Sequence, residues 1–128
     1  MKIKTFSSGS KGNCSIVLCD NTNIIIDMGI SYLTLKRSLE ENSLSFSDIS
    51  GILITHCHKD HTSGLSALLN KTKLNVYIPE EMYDSLKEYV PKTRCIFIED
   101  NFNINDVSIE LIHTSHDAPA SVGYIIEY

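Results

Sequence analysis

The stretch Ile52–His61, ILITHCHKDH, carries the densest chemistry in this chain. An apolar run leads into His56, and Cys57, His58, Lys59, Asp60 and His61 follow without a break. Imidazole is the commonest metal-binding side chain, and carboxylate joins it readily on zinc or manganese. Four ligand-type residues within six positions, at the mouth of an apolar run, read as a metal site rather than as a polar loop. In a strand continuing to residue 58, His56 and His58 project to the same side and converge on one cation. Asp60 and His61 lie past a bend, at the start of the next expected helix, and suit a second cation close by. A metal ion lowers the pKa of bound water towards neutrality and makes a nucleophile without a general base of unusual pKa. The spacing therefore suits two-metal hydrolysis.

The first cation needs a further ligand, and IHTSHDA supplies two candidates. His113 belongs to the alternating run Val107–His113 and reads as a satisfied core or surface histidine. His116 sits past the end of that run in a Thr-Ser-His-Asp turn, where loops usually bring functional side chains, and is favoured. Asp27 closes the apolar segment IIIDMG. It reads either as a turn former before Gly29 or as a carboxylate that orients the ligand loop, since a metal-bound imidazole usually donates its other N–H to such a group. Cys57 alternates away from His56 and His58 in an extended segment, so packing is its expected role. The loop SSGSKGN reads as a glycine-rich hairpin, with a backbone cradle for phosphate as the alternative. Lys11 and Lys59 read as solvated, though either could meet an anionic substrate.

The elements that must hold these residues follow from pattern. Lys2–Phe6, Cys14–Cys19 and Ile24–Ile26 read as three short strands joined by two hairpins. Ser31 suits the cap of a helix over Tyr32–Asn42. Gly51–Thr55 is an uninterrupted apolar run of the kind buried on both faces, and the ligands follow its C-terminal end, where open α/β sheets carry their sites. A helix is expected from His61 through Asn70, then a strand at Leu74–Ile78. Pro79, with Glu80 and Glu81 in the first turn, opens a helix that ends before Pro91. Cys95–Ile98 is a further strand, Asn101–Asp106 a hairpin region, and Val107–His113 and Val122–Tyr128 are strands. Strands first, then strand and helix alternating, then strands again imply α/β layers with a mixed sheet.

Composition sets limits. With 128 residues, 42% apolar and 21% charged, the chain reads as one globular domain over residues 1–128. No apolar run is long enough to span a bilayer, and MKIKTFSSGS lacks the apolar core of a signal peptide, so no membrane role and a cytoplasmic location are expected. The four cysteines form no C-x-x-C pair and read as reduced thiols. Formal charge is −5 and no basic run marks a nucleic-acid footprint. Divalent cations at the site would reverse its local sign, so an acidic chain can still accept a phosphodiester.

His56-x-His58-x-Asp60-His61 resembles the H-x-H-x-D-H signature of the metallo-β-lactamase superfamily. SSGSKGNCS, IDMG, THCHKDH and SHDAPASVGY together resemble its YycJ (WalJ) branch, and the resemblance covers nearly the whole chain. It implies an αββα sandwich, of which this chain matches the N-terminal half: a mixed sheet with helices on one side. It implies two divalent metal ions, zinc or manganese, one on His56, His58 and His116 and the other on Asp60 and His61, with Asp60 also positioning the attacking water. It further implies a cytoplasmic nuclease with DNA as substrate, an exonuclease or phosphodiesterase. The family's bridging Asp and final His would fall after Tyr128, and Asp117 cannot replace that bridging residue, so the chain reads as a truncated domain. A missing C-terminal half or a second copy would then complete the fold. Two alternatives stay open: hydrolysis of a thioester, lactone or β-lactam on the same ligands, and an inactive half-domain with a partial metal site.

Overall fold

The computed structural model describes residues 1–114 and 121–128. Strand β1 (Lys2–Ser7) pairs antiparallel with β2 (Cys14–Cys19), and β2 pairs antiparallel with β3 (Thr22–Ile26). The chain then crosses over through α1 (Tyr32–Glu41) to lay β4 (Ile49–Leu53) parallel to β3. Helices α2 (Lys59–Thr62) and α3 (Leu65–Lys71) lead to β5 (Val76–Ile78), and α4 (Tyr83–Leu86) leads to β6 (Cys95–Phe97), both strands again parallel. The result is a six-stranded mixed sheet in the order β1-β2-β3-β4-β5-β6. Strands β7 (Asn101–Ile104), β8 (Val107–His113) and β9 (Val122–Glu127) form a separate antiparallel sheet.

Side-chain alternation along the strands sorts the core into two layers. Ile16, Ile25, Ile52 and Ile54 bury one face of the large sheet against Leu35, Leu39, Leu65, Leu68, Met82 and Leu86 of the helical layer. Val17, Ile24 and Leu53 bury the other face against Ile104, Val107 and Ile109 of the small sheet. Each fully buried aliphatic side chain contributes roughly 1.5–3 kcal/mol, which is why β3 and β4, apolar on both faces, form the centre. The helices cover one side only, as the family resemblance implies, and the layers run helix, sheet, sheet. Among the described residues no helix is long and apolar enough to cross a membrane.

Three expectations need correction. The strand before the ligands does not run on to residue 58; β4 stops at Leu53. Asp27 ends the neighbouring ladder with φ of 65°, its N–H donates to Leu53 O at 2.7 Å, and the backbone of Thr55 turns to other partners. The helix expected over His61–Asn70 is broken at Ser63 and Gly64, because the segment after β3 passes against it: Gly64 N–H donates to Met28 O at 2.9 Å. The helix expected after Pro79 is a 3₁₀ turn, Glu80–Met82, followed by the short α4, which ends at Leu86. Ser31 caps α1 as expected, accepting from Thr34 N–H at 3.1 Å.

The break at Gly64 is steric. A Cβ built there would lie 1.8 Å from Ile30 O, a backbone atom that cannot swing aside. Gly64→Ala should therefore destabilise the fold by about 1–3 kcal/mol, while Ser66→Ala on the exposed face of α3 should be near neutral. Urea midpoints at unchanged m-value measure the difference; equal midpoints for the two variants would contradict the close approach.

Candidate metal centre

Because β3 and β4 are parallel neighbours, the residues after their C-terminal ends meet at one sheet edge. Asp27 follows β3 and is 5% exposed. Its carboxylate engages the ligand loop at both oxygens. Oδ1 accepts from Thr55 N–H at 2.7 Å, and Oδ2 accepts from the Thr55 hydroxyl at 2.6 Å. Oδ2 also lies 2.7 Å from His61 Nδ1. Thr55 Oγ1 lies 2.8 Å from His56 Nδ1.

The four motif residues are drawn together unequally. The His56 and His61 rings are 4.5 Å apart between centroids, and Asp27, His56 and His61 form a group whose ligand atoms all lie within 4.8 Å of one another. This group could hold a metal ion. On its far side His61 Nε2 lies 3.6 Å from Asp60 Oδ2. His58 caps the start of α2, is exposed, and has its ring 6.4 Å from that of His56. His113 is exposed at the end of β8. His116 and Asp117 lie outside the described residues. Strand β9 reaches the site, where Val122 N–H donates to Thr55 O at 2.9 Å.

Sequence reading misses three contributors. Asn13 closes the glycine-rich turn and points its amide at the motif, with Nδ2 3.2 Å from Asp60 O, 3.3 Å from Asp60 Oδ2 and 3.4 Å from His61 Nε2. Its backbone N–H donates to Asp60 O at 2.6 Å. Thr55 is the hydroxyl between Asp27 and His56. Tyr124, on the small sheet, donates from its phenol to Ile54 O at 2.7 Å. The only signal for Thr55 and Asn13 is adjacency, one to His56 and the other to Gly12; Tyr124 carries none.

Burial shapes the neighbouring ionisable groups. The Cys14 thiol is pushed up to about 12, first by desolvation and then by the charge of Asp27. The Tyr124 phenol is pushed far up for the same two reasons, desolvation first, partly offset by its bond to Ile54. Both stay protonated at neutral pH. Cys57, half-buried against the helical core, is raised by burial and lowered somewhat by a bond from Ser85.

A family model described as Anti-Pycsar protein Apyc1 matches residues 4–94. The exodeoxyribonuclease YycJ of Bacillus anthracis is 30% identical over 129 residues, which cover 97% of this chain and 49% of that protein. The exodeoxyribonuclease WalJ of Streptococcus pneumoniae is 29% identical over 130 residues, covering 96% of this chain and 48% of its own length. The chain thus spans about half the length of the curated relatives it matches. Among solved structures, a B3 metallo-β-lactamase with an active-site glutamic acid superposes with a TM-score of 0.78 at 17% identity, over 91% of this chain and 51% of that one. The fold is that of the metallo-β-lactamases.

The Asp27 carboxylate should matter to stability before any ligand is considered. Asp27→Ala leaves the Thr55 N–H without its acceptor, and each such buried donor costs about 1–3 kcal/mol. Asp27→Asn keeps one carbonyl oxygen for that N–H and should lose less. Chemical denaturation of the two variants beside the parent checks the order; an unchanged midpoint for Asp27→Ala would contradict it.

Proposed function

The chain belongs to the family described as Anti-Pycsar protein Apyc1, and from its ligand motif and its exodeoxyribonuclease relatives we propose that it works as a metal-dependent hydrolase that cleaves phosphodiester bonds in nucleic acid, DNA foremost, in the cytoplasm. One observation carries this reading: His56, Asp60 and His61 of a single short motif converge beside Asp27 at the C-terminal ends of two parallel strands. Nitrogen and oxygen donors of this kind suit zinc or manganese. His56, His58 and His116 would hold one ion, and Asp60 and His61 the other. Bound there, divalent cations activate water and neutralise charge on the phosphoryl oxygens.

The chain's own residues do the rest. Asn13 holds the backbone of Asp60 and steadies its carboxylate. Asp27 fixes the ring of His61. Beside His58 opens a cleft of about 540 Å³ lined by Cys57, His58, Lys59, Thr62, Ser63, Ser66, Ser85 and Tyr89. Lys59 supplies a cation for a phosphate, the serine and threonine hydroxyls supply donors, and the half-exposed Tyr89 ring supplies a face on which a base stacks. Exodeoxyribonucleases among the relatives support nucleic acid as the substrate class.

Metal analysis of the purified chain should find close to two zinc or manganese ions; one or none supports a partial site. An end-labelled DNA duplex, assayed with manganese beside RNA, a thioester, a lactone and a chromogenic β-lactam, sorts the substrate classes. His58→Ala should lower the DNA cleavage rate by more than about 100-fold, since several kcal/mol of transition-state stabilisation is removed. Full DNA cleavage by that variant would remove the metal mechanism.

A further inference from the structure

A proton count at the ligand loop assigns a role to a residue outside the motif. The Asp27 carboxylate can only accept hydrogen bonds. Its Oδ2 is 2.6 Å from Thr55 Oγ1 and 2.7 Å from His61 Nδ1, so the hydroxyl and the imidazole must each deliver a proton to it. The Thr55 hydroxyl has one proton, and that proton is now directed at Asp27. Thr55 Oγ1 also lies 3.4 Å from His61 Nδ1, whose proton is already directed at Asp27, and 2.8 Å from His56 Nδ1. With no hydroxyl proton left, the oxygen is the acceptor of the shorter contact and the His56 ring nitrogen its donor. The reverse arrangement, with the hydroxyl proton on His56, would leave two oxygens 2.6 Å apart with nothing between them.

From this we infer that Thr55 is a positioning residue that relays the demand of Asp27 to His56, fixing its Nδ1–H tautomer while Asp27 fixes that of His61 directly. One buried carboxylate and one hydroxyl thus set both rings. Each ring then offers its Nε2 lone pair away from Asp27. For His61 that nitrogen faces Asp60 Oδ2 at 3.6 Å. Asp27, though close to both rings, has both oxygens engaged by Thr55 and His61 and acts as the acceptor behind the rings instead of as a ligand. The tautomer matters because an isolated imidazole prefers the proton on Nε2, the nitrogen a cation would need. The inference rests on the metal-centre reading for its use, but the tautomers themselves exist without metal.

That separation makes the test clean. Long-range ¹H–¹⁵N spectra of the metal-free protein at pH 8, where an ordinary imidazole is neutral, report each ring's tautomer. Both His56 and His61 should carry Nδ1–H. In Thr55→Val, His56 should move towards Nε2–H while His61 stays, and zinc affinity by chelator competition should fall about 10- to 100-fold. Thr55→Ser should restore both readouts. A wild-type His56 carrying Nε2–H overturns the inference, as does a Thr55→Val protein with unchanged spectra and affinity. Should Thr55→Val fail to fold, the wild-type spectrum still decides. Absence of zinc binding by the wild type would sink the metal centre alone and leave the tautomer result standing.

Discussion

Everything at the sheet edge depends on where the Asp27 carboxylate sits. It lies past the last residue of β3, in a left-handed backbone conformation that a non-glycine residue adopts at some cost. Asp tolerates that conformation better than most residues, and here it is held by what it gains. One turn of backbone aims N–H at Leu53 O and both carboxylate oxygens at Thr55, so the ends of two parallel strands are tied by a residue that belongs to neither ladder. A buried carboxylate with unsatisfied oxygens would be costly. With its oxygens engaged it becomes the fixed point from which the histidine rings are aimed.

Around that point three loops close on one another through their backbones. Asn13 N–H reaches Asp60 O, Gly29 N–H reaches Asn13 O, Met28 N–H reaches His61 O, and Gly64 N–H reaches Met28 O. These bonds need approaches too tight for a side chain: a Cβ on Gly29 would lie 1.9 Å from Asp60 O. The glycines of IDMG and HTSG are thus part of the same device as the ligands. They let the β1–β2 turn, the β3 exit and the start of α2 lie in mutual contact, which is how a motif on a short helix can be rigid without a long element behind it.

Much of this was legible in the residues. The succession of strands and helices along the chain, the Ser31 cap of α1, the position of the ligands after an apolar strand and the interest of Asp27 all follow from period, caps and residue chemistry. What was not legible has a common physical cause. The helices after His61 and after Pro79 are shorter than their residues imply; for the first, local propensity knows nothing of Met28 and Ile30 packing across Gly64. The strand before the motif is shorter than its apolar pattern, which continues through the fully buried Ile54 while the ladder stops at Leu53. Asn13 looked like a turn residue and is one; that its amide also faces Asp60 and His61 depends on a contact 47 residues away in sequence.

The second sheet explains why the ligand loop can leave the ladder at all. After Leu53 the backbone of β4 has lost its strand partners, and exposed carbonyls in a half-buried loop would need water or a substitute. The small sheet provides the substitute: the Tyr124 phenol donates to Ile54 O and Val122 N–H donates to Thr55 O. Burial holds the Tyr124 phenol well above its ordinary range, so the donor is present at neutral pH. The loop is therefore gripped from both sides, by Asp27 of the large sheet on its N–H and hydroxyl and by β9 on its carbonyls. The contact between sheets that Val17, Ile24 and Leu53 make with Ile104, Val107 and Ile109 is then more than core packing. It sets the spacing at which β9 meets Thr55, and through Thr55 the orientation of His56.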